Sequence, residues 1–160
     1  MGVKTAWDRD LDIQFTGVQG TWLTKRWFDP DFQGNLYVFG AVGIAEGVES
    51  NTGSAGLGSQ LGVMADWETR RVFLGYRAHA HDYDGLDASA MQAVKVGWAP
   101  YAGDTGQLHT WFMIEVDHRP DADNPVDVTP LLRLFKGPAL FEIGYSLEDQ
   151  DAQINLQYRF

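Results

Sequence analysis

His79 and His81 flank Ala80, and Asp82 follows at once. In extended chain, residues two apart share a face. The two imidazoles then converge, with the Asp82 carboxylate beside them and His109 within reach on a neighbouring strand. Imidazole nitrogen with carboxylate oxygen is a donor set for Zn²⁺, Cu²⁺ or Ni²⁺. Two strand histidines held in ordinary hydrogen bonds are the commoner arrangement. The expectation is therefore no cofactor, with a divalent ion at His79, His81 and Asp82 as the exception. Ser54, Ser89 and Ser146, with His81 and His118, supply the parts of a serine–histidine–acid relay. No serine stands in a Gly-x-Ser-x-Gly turn. The glycine-rich run from Gly53 to Gly62 lacks the lysine and following helix of a phosphate loop. The chain reads as no enzyme, with a hydrolase or acyltransferase as an alternative.

These residues sit on segments that alternate. Leu57, Leu61, Val63, Ala65 and Trp67 interleave with Gly58, Gln60, Gly62, Met64 and Asp66. Val72, Leu74, Tyr76, Ala78 and Ala80 interleave with Phe73, Gly75, Arg77, His79 and His81. A period of two is the mark of a β-strand with unlike faces. The same pattern recurs at Val3–Trp7, Leu11–Trp27, Asn35–Glu46, Met91–Tyr101, Leu108–Asp117, Val126–Phe135 and Ala139–Leu147. Within Leu11–Trp27 the apolar parity changes between Phe15 and Val18, which predicts a β-bulge near Gly17. No stretch has helical periodicity, and no run reaches the ~18 apolar residues of a membrane-spanning helix. Short connections predict antiparallel neighbours. A meander of about ten strands, or of eight if the first pair is excluded, is expected to close on itself and remove its edges. The 160 residues make one domain, 1–160.

With no cysteine there is no disulfide framework. A net charge of −10 makes the chain a poor candidate for nucleic acid, because phosphate binding needs Lys and Arg. Met1–Trp7 carries no apolar leader, as expected of a mature exported chain.

The last segment alternates most strictly. Ala152, Ile154, Leu156, Tyr158 and Phe160 face one way; Gln153, Asn155, Gln157 and Arg159 face the other. This pattern, ending on Phe160, resembles the closing strand of bacterial outer-membrane β-barrel proteins. The resemblance implies a closed antiparallel up-and-down transmembrane β-barrel in the outer membrane. It also implies an assembly signal in Ile154, Leu156, Tyr158 and Phe160. Its partners would be the lipid bilayer, lipopolysaccharide and the outer-membrane assembly machinery, and a monomer is expected.

Alternation alone does not say which face meets water, and a soluble lipocalin-like binder of apolar ligands has the same period. Three features favour the membrane reading. Most of the strands reach the 9–11 or so residues of a tilted span. Trp22, Trp27, Trp67, Trp98 and Tyr145 fall near strand ends, as an aromatic girdle requires. Acidic connections (Asp8/Asp10, Glu49, Asp82/Asp84/Asp87, Asp121/Asp123, Glu148/Asp149) alternate with connections holding Lys25/Arg26, Arg70/Arg71 and Lys136, though also Asp29, Asp31 and Asp104. On this reading Asp66, Arg77, Lys95, His109, Glu115, Arg133, Glu142 and Arg159 line the lumen as a salt-bridged network. The function expected is structural, interactive or that of a narrow pore.

Overall fold

The computed structural model describes residues 1–8, 13–47, 55–84, 88–104, 106–122 and 124–158. They form ten strands and no helix: β1 (Gly2–Asp8), β2 (Ile13–Phe28), β3 (Gln33–Gly47), β4 (Gly56–Glu68), β5 (Val72–Tyr83), β6 (Ser89–Trp98), β7 (His109–His118), β8 (Val126–Lys136), β9 (Ala139–Tyr145) and β10 (Ala152–Tyr158). Every strand pairs antiparallel with its sequence neighbours in a single sheet ordered β1 to β10. Residues 29–32, 69–71 and 137–138 are short turns at one end of the sheet, the turn end, where the longer connection 99–108 also lies. Connections at the opposite, loop end include 119–125 and 146–151.

The sheet is curled but not closed. Among the described residues β1 pairs only with β2, and β10 only with β9. The expectation of a closed barrel is corrected on this point. Alternation and connection length dictate which strands are neighbours. Closure depends on the summed tilt and shear of all the strands, which no single segment encodes.

Part of the curl has a local cause. Gly17, Gly43 and Gly58 lie in register across β2, β3 and β4. A Cβ on Gly17 would overlap the Val42 carbonyl oxygen, and one on Gly43 would overlap that of Thr16. A Cβ on Gly58 would meet the rings of Phe15 and Tyr83 at 2.9 Å. The bare row lets the backbones approach and the sheet bend, a use of strand glycine that costs packing elsewhere. Gly43→Ala is expected to cost about 1–3 kcal/mol, the range of forced overpacking. A urea midpoint unchanged by this substitution would reject the close approach.

The parity break in β2 lies further along than the sequence suggests. Ile13 and Phe15 face inward while Val18 and Trp22 face outward, with no slip between them. The register shift falls between Leu23 and Lys25. The concave surface at this corner is itself apolar: Ile13, Phe15, Ala41, Ala45 and Tyr83 form a buried cluster. An apolar residue there is no sign of the outer face. A second concave cluster, Ala99, Trp111, Met113 and Leu131 with Phe73 and Phe135 against it, lies among β5, β7 and β8 toward the turn end.

Candidate functional site

The charged residues of the strand interiors gather on the concave face. Glu142, on β9 and 6% exposed, is their hub. Its Oε1 accepts from Arg133 Nε at 2.9 Å and Nη2 at 2.8 Å, and Lys95 Nζ lies 3.7 Å away. Its Oε2 accepts from Asn155 Nδ2 at 2.8 Å, which ties β10 into the network. Lys95 also pairs with Glu115 at 2.8 Å. The Arg133 guanidinium lies over the Phe73 ring, 5.2 Å from its centroid. The side chains of β6 to β10 thus hold two cations and two anions in contact. Charges this far from water persist only when matched and hydrogen-bonded.

A second group joins the turn-end halves of β2, β3 and β4. Arg26 Nε donates to Asn35 Oδ1 at 2.8 Å, and Asn35 Nδ2 donates to Asp66 Oδ1 at 2.7 Å. Sequence reading missed Arg26 and Asn35. The register shift between Leu23 and Lys25 turns Arg26 inward. The signal was present: Trp22 and Trp27 are five positions apart, so both can face outward only if parity slips once between them.

Arg77 and Asp117 approach at 3.9 Å on the concave face nearer the loop end. Beside them the rings of β5 form a column. Phe39 and His79 have centroids 6.1 Å apart, His79 and His81 6.2 Å, His81 and Tyr83 4.8 Å, and Tyr83 and Phe15 5.8 Å. Gln60 bridges the column to β1: its Nε2 donates to Tyr83 Oη at 2.7 Å, and its Oε1 accepts from Lys4 Nζ at 2.6 Å. A bond from β1 to β4 requires the curl.

The expected metal cluster does not assemble. His79 and His81 share the concave face, but Asp82 is on the convex face, as the alternation that unites the histidines demands. His109 sits at the turn end, stacked on Phe135 with centroids 4.4 Å apart. Among the described residues no three ligand-type side chains converge. Among the described residues no hydrolytic relay forms either. Ser89 Oγ donates to Asp121 Oδ2 at 3.0 Å, Ser146 Oγ donates to Asp127 Oδ1 at 2.9 Å, and neither meets a histidine. His81 and His118 lie on opposite faces. Ser54, Arg159 and Phe160 lie outside the described residues.

Asp127 has a structural use. Its Oδ1 accepts from Ser146 Oγ and, at 3.1 Å, from the Glu148 backbone N–H, while Oδ2 accepts from Thr129 Oγ1 at 3.0 Å. Ser146 Oγ in turn accepts from Asp149 N–H at 2.9 Å, and Ser146 N–H donates to Asp151 O at 2.8 Å. The β9–β10 connection is thereby fastened to the start of β8. Ser146 and Thr129 are fully buried, so Asp127→Ala leaves two buried hydroxyls short of a partner. The expected cost is about 1–3 kcal/mol for each unsatisfied group. Hydrogen exchange at Glu148 and Asp149 should quicken, and unchanged exchange would show the clamp to be idle.

The convex face is different in kind. Leu61, Val42, Leu156 and Ile154 are 64–74% exposed, and Val18, Val63, Leu74, Val96, Phe112, Ile114 and Ile143 join them. Along the described strands the outward positions carry an acid or base only at Lys25, Glu46, Asp82, His118 and Lys136, each within four residues of a strand end. Trp27, Trp67 and Trp98 are exposed near the turn end, Tyr145 ends β9 at the loop end, and Trp22 lies in mid-strand. Lys25 Nζ lies 4.9 Å from the Trp27 ring centroid, and the Arg71 guanidinium 5.6 Å from that of Trp98. The girdle residues therefore form a band at one rim only. Ile154, Leu156 and Tyr158 of the expected assembly signal are all exposed on this face.

Compared with known protein families, curated proteins and solved structures, the chain matches none.

Proposed function

We propose that the protein is an integral membrane β-sheet protein of the outer-membrane barrel kind, with a structural, interactive or narrow-pore role. The observation that supports this most is the partition of charge. The ion pairs are on the concave face and the exposed aliphatic side chains are on the convex face. Water favours the reverse. Contiguous exposed apolar surface well beyond a few hundred Å² is rare on soluble monomers and marks a lipid or protein contact. Lipid is the occupant that suits a surface spread over the whole sheet, with tryptophans and cations at its turn-end rim. The concave face is crowded by matched charges and rings, which leaves room for small ions at most. The acidic connections at the loop end would meet lipopolysaccharide through divalent cations.

The test is refolding of urea-denatured protein into plain buffer, detergent micelles and lipid vesicles. The expected result is β-structure by circular dichroism only with detergent or lipid, and flotation with the vesicles. Cooperative folding in plain buffer without flotation would overturn the proposal in favour of a soluble lipocalin-like binder.

Lipid offers backbone groups no hydrogen bonds, so the free edges of β1 and β10 need partners there. The chain has no native cysteine, so the pair Thr5→Cys and Leu156→Cys reports without background. In vesicles, a cross-link within one chain means the edges cover each other. A cross-link between chains means a second copy covers them. No cross-link with any such pair along the two edges would count against embedding.

A further inference from the structure

The convex face carries a groove of about 480 Å³ across β4, β5 and β6. Ala78, Ala80 and Ala90 form its floor, Leu61 and Val63 one wall, and Gln92 with Pro120 the other. Its volume lies in the range of small-molecule sites. Along the Gln92 side runs a chain of hydrogen bonds on the same face. Tyr76 Oη donates to Gln92 Oε1 at 3.1 Å, and Gln92 Nε2 lies 3.1 Å from His118 Nδ1. Because the Gln92 carbonyl oxygen takes the tyrosine proton, its amide nitrogen must be the donor to His118. Nδ1 then accepts, and the ring proton sits on Nε2. The chain fixes one tautomer and ends in a polarised N–H donor on His118, next to Gln92, which lines the groove.

A hydrogen-bond donor beside an apolar trough suits an amphiphile whose acceptor sits at the root of a hydrocarbon chain. We propose that the groove binds one ester-linked acyl chain of a membrane lipid, with the ester carbonyl of that chain accepting from His118 Nε2–H. The proposal rests on the membrane reading. His118 is the last residue of β7 and Pro120 follows in the loop-end connection. The donor therefore lies at the rim, where ester groups reside in a bilayer, and the groove leads away from it across β6, β5 and β4.

The experiment titrates dioleoylphosphatidylcholine, and separately its diether analogue without carbonyls, onto the detergent-folded protein, with bound lipid counted by native mass spectrometry. The ester lipid is expected to bind about tenfold more tightly than the ether lipid, the worth of one good hydrogen bond. His118→Ala should erase that difference while leaving ether-lipid binding intact. Filling the trough with Ala80→Leu and Ala90→Leu should abolish one-to-one retention of both lipids. These positions face outward, so the fold has no reason to suffer. Equal binding of the two lipids by the unaltered protein would overturn the role of His118. Undiminished binding by the filled variant would overturn the groove. Flotation with vesicles, read on the same samples, separates these results from failure of the membrane reading, because a protein that does not float fails there first.

Discussion

Glu142→Leu is expected to be among the most damaging single substitutions on the concave face, costing about 3–5 kcal/mol, as when one partner of a buried ion pair is lost. The reason is geometric. One carboxylate holds Arg133 by two nitrogens at 2.9 and 2.8 Å, draws Lys95 to 3.7 Å and anchors Asn155 at 2.8 Å. Leucine removes the acid that two nitrogens of the Arg133 guanidinium contact, leaves the Asn155 amide without its acceptor and leaves Lys95 with Glu115. Arg133→Glu should be worse still, since it sets two carboxylates against each other at the same spot. The concave face is therefore intolerant of charge reversal at Arg133 and Lys95. Removing both partners together, Glu142→Leu with Arg133→Met, should recover much of the loss, because matched apolar replacements of buried pairs are often close to neutral. Urea titration of the folded protein in micelles measures all of these variants. A loss under about 1 kcal/mol for Glu142→Leu would mean that water reaches the hub and screens it.

Ile114→Arg is expected to separate the membrane reading from a soluble one by sign and size. Ile114 lies on the convex face between Val96 of β6 and Pro130 of β8, and is 48% exposed. In a bilayer a cation at the midplane of a lipid-facing strand costs about 2–4 kcal/mol. On a soluble surface the same change stays within about 0.5 kcal/mol. Thr110→Arg, on the same face at the strand's turn-end start, is the control and should cost much less. Folding free energies in vesicles give the comparison. Equal, small costs at both positions would place the convex face in water.

The turn-end arrangement shows how much of this was legible. Alternation gave all ten strands with their order. It also gave the common face of Asp66, Arg77, Lys95, Glu115, Arg133 and Glu142, because a period of two leaves a strand no freedom about which residues share a side. It failed where two sides could both be apolar. Phe15 and Val18 looked like a parity break, yet one packs against Tyr83 inside and the other is half exposed outside. It failed at Arg26 for the complementary reason, since the register shift just before it reverses everything that follows. His79, His81 and Asp82 looked like one donor set, although the alternation that joins the first two expels the third.

By itself, the sequence determined what is local and periodic: strand identity, antiparallel neighbours and the unlike faces of each strand. These follow from covalent geometry and short connections. Only the folded sheet decided how far the strands curl and which charge meets which. Those depend on sums over many strands: the bend at the Gly17–Gly43–Gly58 row, the accumulated twist that leaves β1 and β10 apart, and the bond from Lys4 to Gln60. No window of neighbouring residues carries such a sum.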